Sequence, residues 1–391
     1  MTHGAPKLLV FHEIGYKLLQ VHYLGDRWDG EFMKKPMDHP LRSAFQGKRV
    51  LVTGHSGFKG SWLCKTLDFF GAKVYGFSIS PPIDSRHSYF ELEISKIILN
   101  SHDSFGDVRN QDFNDTLKSE NFDYIFHLAA QSLVAKSFED PGDTFTTNIV
   151  GTIAVLEHLR KENSKATCLI ITSDKCYKNY NTGKSFIESD VLGGSDPYSA
   201  SKASAEIIFQ SYIESFPNLC SIGGIASARA GNVFGGGDWS ENRLIPDCAR
   251  FFSQDKTVLL RMPHATRPWT SVHDIINGYL ILAAKLRSDS KNYRGSWNFS
   301  SSEIMSVFDV ATIFRDGFGQ GNVAVEEKLV GGKESILLQI DSTKSKSLLY
   351  WDVKKNLEKS LKETSRWYLA QSQGEDMKSY SEKYLMEYFH A

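Results

Sequence analysis

The segment 48–71 constrains the fold of this chain more than any other part of the sequence. Residues 48–53, KRVLVT, form a β-branched apolar run, three glycines follow with the spacing GxxGxxG, and an amphipathic helical pattern ends at Gly71. A strand that leads through a glycine turn into a helix is typical of a dinucleotide site, because glycine permits the tight turn and the helix N-terminus offers free N–H groups to a pyrophosphate. The predicted cofactor contacts in this loop are Gly54, Gly57, Phe58, Lys59 and Gly60.

Further strands and helices alternate along the chain. Apolar runs at 73–77, 122–129 and 167–172 predict strands, and the stretch at 152–160 has a helical pattern. Strands that read as continuous apolar runs are buried on both faces, which is typical of a parallel sheet with helices on each side. We therefore predict an α/β fold, namely a Rossmann-type doubly wound parallel sheet with a smaller C-terminal substrate-binding domain.

The length of 391 residues allows one large domain or two ordinary ones. We predict a dinucleotide-binding domain over 45–232, to which part of 268–292 returns, and a mainly substrate-binding domain over 233–391. Residues 1–44 are predicted to be an extension of unknown role. Apolar positions between 8 and 21 leave a partner-binding helix open as an alternative for that extension.

Charge and cysteine content exclude several classes of protein. The 45 Lys and Arg residues nearly balance the 46 Asp and Glu residues, so the net charge of −1 provides no long-range field for a polyanion, and nucleic acid is not expected as a main partner. Five cysteines form no CxxC pair, which favours buried thiols in a reducing compartment. No apolar run reaches the roughly 18 residues that a membrane span needs. We expect a soluble, cytoplasmic protein with neither a metal site nor a membrane partner.

The end of the second strand leaves the cofactor open between NAD and NADP. This strand closes in Phe77 and Ser78, where a carboxylate for the adenine ribose is usual, and no arginine cluster stands there for a 2′-phosphate. Asp107 and Val108 fall where a third strand is expected to end, so Asp107 is a candidate contact for the adenine. The alternative for Asp107 is an ordinary solvated loop aspartate.

Tyr198 and Lys202 stand one helical turn apart. A cation on the same helix face lowers the pKa of a phenol, and the lysine can also hold the ribose hydroxyls of a nicotinamide cofactor. Such a pair is often just a solvated helix face, but here it lies downstream of a predicted strand that ends in Ser173, Asp174 and Lys175. Doubly wound sheets bind ligands at that carboxyl edge. A hydroxyl, an acid and an amine are therefore predicted to face the same crevice as Tyr198.

Three motifs together resemble the extended short-chain dehydrogenase/reductase family: GxxGxxG at 54–60, HLAA at 127–130 and YxxxK at 198–202. Longer stretches resemble the nucleotide-sugar 4,6-dehydratases that act on CDP-glucose. These stretches are TGHSGFKGSW (53–62), TSDKCY (172–177), DPYSASK (196–202), ARAGNVFGGGDW (228–239), RLIPD (243–247) and ATRPW (265–269). The chain departs from the pattern at Ser132, Ala135 and Asn242, in loops near the nucleotide sugar, and the resemblance begins only near Phe45.

The resemblance implies NAD as the cofactor, a nucleotide sugar as the substrate, and assembly as a homodimer or higher homo-oligomer. It adds cofactor contacts at Leu128, Ala129 and Ala130, and it places Tyr198 and Lys202 against the cofactor as well. The implied substrate contacts are Gln131, Asn232, Arg243 and Arg267. A guanidinium fork such as that of Arg267 suits the oxygens of a diphosphate.

The implied reaction converts CDP-D-glucose to CDP-4-dehydro-6-deoxy-D-glucose and water without net redox change. Tyr198 takes the O4 proton while hydride leaves C4, and Ser173 hydrogen-bonds O4. Lys175 then removes the proton from C5, Asp174 protonates the departing C6 hydroxyl, and hydride returns to C6. An NAD-dependent 4-epimerase or reductase of the same family is the alternative, and it leaves Asp174 and Lys175 without a role. A non-catalytic scaffold is not expected to keep the Tyr198 and Lys202 pair.

Overall fold

The computed structural model describes residues 39–100, 104–119, 121–162, 164–220, 223–325 and 338–390. The apolar positions between 8 and 21, on which the partner-binding alternative rests, lie outside these ranges. The described end of the predicted extension begins a short helix, which His39 caps by accepting a hydrogen bond from the N–H of Leu41 at 3.2 Å. Leu41 and Phe45 of this helix are buried in the core of the molecule.

Strands and helices alternate through most of the described chain. In chain order the strands are β1 (Arg49–Thr53), β2 (Lys73–Phe77), β3 (Tyr124–His127), β4 (Thr167–Ile171), β5 (Ser185–Phe186), β6 (Ile225–Ala230), β7 (Asn232–Phe234), β8 (Thr257–Leu260), β9 (Thr266–Ser271), β10 (Gly295–Phe299), β11 (Ile304–Ser306), β12 (Asn322–Val325) and β13 (Gln339–Ile340). The helices are α1 (Pro40–Phe45), α2 (Phe58–Phe69), α3 (Ser88–Glu91), α4 (Ile94–Ile97), α5 (Gln111–Ser119), α6 (Val134–Glu139), α7 (Pro141–Lys161), α8 (Pro197–Ser215), α9 (Leu244–Phe252), α10 (Val272–Ser288), α11 (Ser290–Tyr293), α12 (Val307–Phe318), α13 (Thr343–Leu349), α14 (Leu357–Ser372) and α15 (Met377–His390). Two 3₁₀ turns, Asp174–Cys176 and Pro217–Cys220, complete the set of described elements.

Six parallel strands form the central sheet in the order β10-β6-β4-β3-β1-β2. In the middle of this sheet, Val52 of β1 pairs with Gly76 of β2 on one side and with Phe126 of β3 on the other. The chain leaves β1 toward one edge and returns to β3 on the opposite side. The carboxyl ends of β1 and β3 therefore meet at the switch in strand order where doubly wound sheets bind ligands. The predicted Rossmann-type fold is confirmed.

Apolar cores cover both faces of the sheet. Val50 and Val52 of β1 belong to the core formed with α2 and α10, whereas Leu51 belongs to the core formed with α5, α7 and α8. This alternation follows from the two-residue period of a strand. All five residues of β4 are buried because an apolar core covers each face of the sheet. Burial on both faces explains why the strands read as continuous apolar runs in the sequence.

The third strand predicted to end near Asp107 is represented, in the described residues from 104 onward, by a single parallel bridge between Phe105 and Ser78. Its backbone hydrogen bonds join Ser78 to Ser104 and to Gly106, at 2.9 and 2.8 Å. The chain turns at this point because Oδ1 of Asp107 accepts a hydrogen bond from the N–H of Arg109 at 2.9 Å.

The sixth strand of the sheet comes from much later in the chain. β10 pairs with β6 in parallel, with Trp297 opposite Ala228, and α10 packs against β4 and β6. Smaller sheets, β11-β9-β7, β12-β8 and β13-β5, lie outside the central one.

Four cysteines, at positions 64, 168, 176 and 248, are buried free thiols. Burial raises the pKa of Cys64 and of Cys168 above the ordinary thiol value, which keeps both in the unreactive protonated form. Among the helices of the described ranges, none combines the length and the apolar character required to cross a membrane.

Candidate active site

The glycine loop between β1 and α2 is a turn into which side chains do not fit. Gly54 has a φ of +71°, and a Cβ there would lie 2.9 Å from the backbone nitrogen of Ala129. A Cβ at Gly60 would lie 2.0 Å from the carbonyl oxygen of Gly54. Gly57 precedes the first residue of α2, and none of the described side chains caps this helix. The first-turn N–H groups of α2 therefore remain for an anionic ligand, as a dinucleotide cradle requires.

Thr53 and His127 join the two strand ends at this switch point. The Thr53 hydroxyl accepts hydrogen bonds from the backbone N–H groups of Leu128 and Ala129, both at 3.1 Å, so its own proton faces Nδ1 of His127 at 2.9 Å. Burial, helped by the charge of Lys202, lowers the pKa of His127 to about 3. A neutral His127 thus holds the start of the 128–130 segment against the glycine loop.

Tyr198 and Lys202 lie on the inner face of α8. Asp196 caps this helix by accepting from the N–H of Ser199 at 2.9 Å, and Pro197 occupies the first position, so the helix begins just before the tyrosine. Both side chains are buried, and Nζ of Lys202 donates to the carbonyl oxygen of Ile171 at 3.4 Å. Burial, helped by Lys59, lowers the pKa of Lys202 to about 7.

The expectation that Lys202 lowers the pKa of Tyr198 is wrong for this structure. Burial raises the pKa of the phenol to about 12, although the hydrogen bond with Ser173 and the charge of Arg243 act in the opposite direction. The helical spacing places the lysine on the correct face, but loss of hydration dominates when the phenol is enclosed.

Ser173, Asp174 and Lys175 follow β4 directly at its carboxyl end. The Ser173 hydroxyl accepts from the N–H of Lys175 at 3.2 Å, which starts the 3₁₀ turn, and it lies 2.8 Å from Oδ1 of Asp174. The Ser173 side chain also acts on the phenol of Tyr198, whose pKa it lowers. Burial raises the pKa of Asp174, and the charges of Lys175 and Arg267 oppose that effect. The structure thus brings a hydrogen-bonded acid and hydroxyl together with a phenol, with Lys175 beside them.

Two of the predicted substrate residues, Arg267 and Asn232, lie in segments close to Asp174. The side chain of Arg267 is buried and acts electrostatically on Asp174. Asn232 is paired with Trp269 across β7 and β9, and a Cβ at the preceding Gly231 would lie 3.3 Å from Oδ2 of Asp174.

Arg243 and Lys59 face the same crevice from other elements. Nη1 of Arg243 donates to Oδ2 of the buried Asp238 at 3.0 Å. Burial, helped by Arg243, lowers the pKa of Lys59 to about 8, while Asp174 and Asp238 act in the opposite direction. Lys59, predicted as a cofactor contact, is therefore also within electrostatic reach of the predicted catalytic acid.

Gln131 and Asp107 are occupied by contacts within the protein. The Gln131 amide donates to the carbonyl oxygen of Leu133 at 3.0 Å and to the Thr144 hydroxyl at 2.9 Å, and it accepts from the N–H of Leu133. Asp107 lies in a partly exposed loop, where the guanidinium of Arg109 holds the pKa of its carboxyl below the ordinary value. The neighbouring Val108 side chain is buried.

Sequence reasoning missed a buried layer behind these residues. Asn148 of α7 accepts from the N–H of Gln131 at 2.8 Å and donates to the hydroxyl of Ser201 at 2.8 Å, which links the 131 loop to α8. Glu206 and Arg229 form a fully buried ion pair below the catalytic face. Glu206 lies four residues after Lys202, a spacing that places it on the same helix face and that the sequence already contains.

Comparisons with known proteins agree with this geometry. A model of the family described as GDP-mannose 4,6 dehydratase matches residues 51–364, which is most of the chain. The chain belongs to this family. The predicted resemblance to extended short-chain dehydrogenases and reductases is thereby confirmed.

Relatives in the dehydratase family include enzymes of more than one activity. The chain is 34% identical over 365 residues to a CDP-glucose 4,6-dehydratase of Salmonella typhimurium, covering 90% of this chain and 98% of that relative. It is 27% identical over 335 residues to a UDP-glucose 4-epimerase of Mycoplasma pneumoniae, covering 82% of this chain and 96% of that relative. A solved dTDP-glucose 4,6-dehydratase of Bacillus anthracis in complex with NAD has the same fold, with a TM-score of 0.67 at 21% identity over 84% of this chain and 99% of that one.

Proposed function

We propose that this chain is an NAD-dependent nucleotide-sugar 4,6-dehydratase, a hydro-lyase that converts CDP-D-glucose to CDP-4-dehydro-6-deoxy-D-glucose and water. The observation that carries the proposal is the hydrogen-bonded pair of Ser173 and Asp174 at the carboxyl end of β4, with Lys175 in the same turn and with the buried phenol of Tyr198 close enough for both to act on its pKa. The choice of CDP-glucose is supported by the Salmonella relative named above.

The residues of the glycine loop fit a dinucleotide. The positive φ of Gly54 and the close approach of Gly60 to its carbonyl leave a concave backbone without side chains at an uncapped helix start. NAD bound there supplies a hydride acceptor and donor and a positively charged ring. We propose that Gly54, Gly57, Phe58, Lys59 and Gly60 hold it, together with Asp107, Val108, Leu128, Ala129, Ala130, Tyr198 and Lys202.

Tyr198 is proposed to receive the O4 proton of the sugar, and Ser173 to hydrogen-bond O4. With a pKa near 12 the phenol holds its own proton at neutral pH, so it must lose that proton before it can accept the one from O4. Positive charge close to the phenol favours the phenolate, and Arg243 provides such charge from the chain itself.

Asp174 and Lys175 are proposed to carry out the elimination. Burial favours the protonated form of Asp174, which suits a general acid that delivers a proton to the departing C6 hydroxyl. Lys175 follows Asp174 in the same 3₁₀ turn and is the proposed base at C5. Arg267, Arg243, Asn232 and Gln131 are proposed to line the nucleotide-sugar site.

A panel of nucleotide sugars tests the proposed function. The protein is incubated with CDP-, UDP-, dTDP- and GDP-glucose and with catalytic amounts of NAD, and product masses are followed. Loss of one water from CDP-glucose without consumption of NAD supports the dehydratase. A product of unchanged mass would identify a 4-epimerase, which has no use for Asp174 and Lys175.

We also propose a two-domain organisation over 45–232 and 233–391, residence in the cytoplasm, and assembly as a homo-oligomer. Val150 of α7 and Ile207 of α8 are exposed apolar side chains on two helices that pack against each other, and a homo-oligomer that used these helices would cover them.

A further inference from the structure

Glu206 and Arg229 form an ion pair in the interior of the molecule. The distance between Oε2 of Glu206 and Nη2 of Arg229 is 2.6 Å, and both side chains are 0% exposed. Burial of two charges is expensive even when they are paired, and a buried pair is weak as a source of stability alone. Stability alone therefore does not explain this ion pair, which lies behind the predicted catalytic residues.

The carboxylate of Glu206 accepts several hydroxyl hydrogen bonds. Thr172 donates to Oε1, and Ser227 and Ser296 donate to Oε2 at 2.9 Å and 3.1 Å. Burial alone would raise the pKa of Glu206, but the Arg229 guanidinium and the hydroxyls of Thr172 and Ser227 lower it below the ordinary value. Glu206 is therefore ionised at neutral pH and is a fixed acceptor for Thr172.

The guanidinium of Arg229 fixes a second point of the same chain segment. Nη1 donates to the hydroxyl of Tyr177 at 2.7 Å, and this hydroxyl donates to Oδ1 of Asn298 at 2.7 Å. The amide of Asn298 is in turn oriented because its nitrogen donates to the carbonyl oxygens of Phe186 and Asp341, both at 3.0 Å. Tyr177 thus has one defined hydrogen-bonding position.

Thr172 and Tyr177 are the residues that flank the segment 173–176, which contains the proposed acid and base. One ion pair therefore holds both ends of this segment. Glu206 lies four residues after Lys202 and eight after Tyr198 on α8, so the same pair also ties the segment to the helix that carries the phenol.

We propose that Glu206 and Arg229 are positioning residues: through Thr172 and Tyr177 they set the distance between the segment 173–175 and Tyr198. This inference rests on the proposed function only for the identity of the reaction, because the hydrogen bonds that define it are independent of the substrate. Misplacement of catalytic groups by about 1 Å is enough to reduce turnover by about 100-fold.

The test removes the hydrogen bonds that connect the ion pair to Thr172 and to Tyr177, and it leaves the ion pair itself in place. The double variant Thr172→Val/Tyr177→Phe deletes two hydroxyls from the flanks of the segment. The matched control Ser227→Ala/Ser296→Ala deletes two hydroxyls that donate to the other oxygen, Oε2, of the same carboxylate, and the Ser296 hydroxyl also accepts from Nη2 of Arg229. For both variants we measure kcat and KM with the sugar that the wild type turns over, the melting temperature, and hydrogen exchange of the amides at 172–177.

We expect the flank variant to lose about tenfold or more in kcat with KM within about twofold, and to exchange faster at 172–177 than the wild type. The control is expected to keep kcat within about twofold at a similar loss of melting temperature. Thr172→Ser/Tyr177→Phe keeps a hydroxyl at position 172 that can donate to Glu206, and this variant is expected to recover part of the turnover. Equal losses of kcat in flank and control variants, or unchanged kcat and exchange in the flank variant, would overturn the inference.

Failure of the proposed function gives a different result. In that case the wild type itself fails to dehydrate any of the nucleotide sugars. The exchange measurement then still decides whether the ion pair orders the segment, since it requires no substrate.

Discussion

The Ser173 hydroxyl lies 2.8 Å from Oδ1 of Asp174, and the Ser173 side chain also lowers the pKa of the Tyr198 phenol. This arrangement joins the residue proposed to act first on the sugar to the residue proposed to act in the elimination. The link has consequences for each residue that can be measured separately.

Replacement of Lys175 by Met separates the two halves of the proposed reaction. The variant is expected to lose turnover by about 100-fold or more, because no base removes the C5 proton. Oxidation at C4 depends on Tyr198 and is expected to survive, so NADH absorbance rises once and stays. Unchanged turnover of Lys175→Met would show that another group is the base.

Tyr198→Phe is expected to block the reaction before that point. Turnover falls by about 100-fold or more because the phenol is the proton acceptor for O4, and no transient NADH is expected. NAD affinity, measured by quenching of protein fluorescence, is expected to fall by no more than a few-fold, because Tyr198 is one of the proposed NAD contacts but the glycine loop and the other contacts are intact. A Tyr198→Phe variant that still accumulates NADH would contradict the assignment.

Asp174→Asn is expected to make the protein more stable and less active. Burial raises the pKa of Asp174, so the folded protein binds the protonated acid more favourably than the unfolded chain does. The free energy of unfolding that this proton contributes is present at low pH and is lost as pH rises through the raised pKa. Asparagine resembles the protonated acid at every pH. At pH 8 the variant should melt about 3 °C above the wild type, and the difference should shrink toward pH 4.

A surface carboxylate, that of Asp352, provides the control for the Asp174→Asn variant. Asp352→Asn changes an exposed carboxylate that pairs with Lys346 on the surface and should leave the melting temperature unchanged within about 1 °C. A lower melting temperature of Asp174→Asn at pH 8 would mean that the ionised acid is favoured in the fold.

Gly60→Ala tests the cradle directly. Its Cβ would lie 2.0 Å from the carbonyl oxygen of Gly54, so the loop must open and NAD affinity should fall by about tenfold or more. Gly142→Ala is the matched control, since the nearest atom to its Cβ is a side-chain oxygen of Asp140 at 3.6 Å. Titration of both variants with NAD checks the prediction, and equal affinities would refute it.

His273 is expected to make the protein sensitive to acid. It packs between Trp62 and Tyr384 with ring centroids 4.5 Å apart in each case, and burial lowers its pKa to about 3. Since the folded protein disfavours the protonated ring, the stability associated with neutral His273 is present above pH 6.5 and is lost as pH falls toward 3.

The replacement His273→Phe keeps the aromatic packing and removes the titration. Its melting temperature should fall less than that of the wild type between pH 6.5 and pH 4, whereas His264→Phe on the surface should follow the wild type. Parallel pH curves for His273→Phe and the wild type would exclude the role of His273.

Patterns within short stretches of sequence predicted much of the site. The apolar strand, the GxxGxxG spacing and the i, i+4 relation of Tyr198 and Lys202 depend on local geometry, so the structure reproduces their placement. The raised pKa of Tyr198 could not be predicted, because it depends on how completely distant elements enclose the phenol. In the described residues, the strand expected to end near Asp107 is only a one-residue bridge at Phe105, and the hydrogen bond from the N–H of Arg109 to Asp107 turns the chain directly after it.

Long-range pairing also escaped prediction. β10 joins β6 across about 70 residues of sequence, and Glu206 meets Arg229 only because α8 packs on β6. In both cases, no pattern within one segment indicates which distant segment it will contact. The i, i+4 spacing from Lys202 to Glu206 is the one local signal that pointed to this layer.

The fate of the hydrogen at C4 tests the central claim most directly. CDP-glucose labelled with deuterium at C4 is incubated with the protein and catalytic NAD, and the product is examined by mass spectrometry and proton NMR. The proposed function predicts loss of one water and deuterium in the C6 methyl group. A product of unchanged mass that retains deuterium at C4 would contradict it and indicate an epimerase.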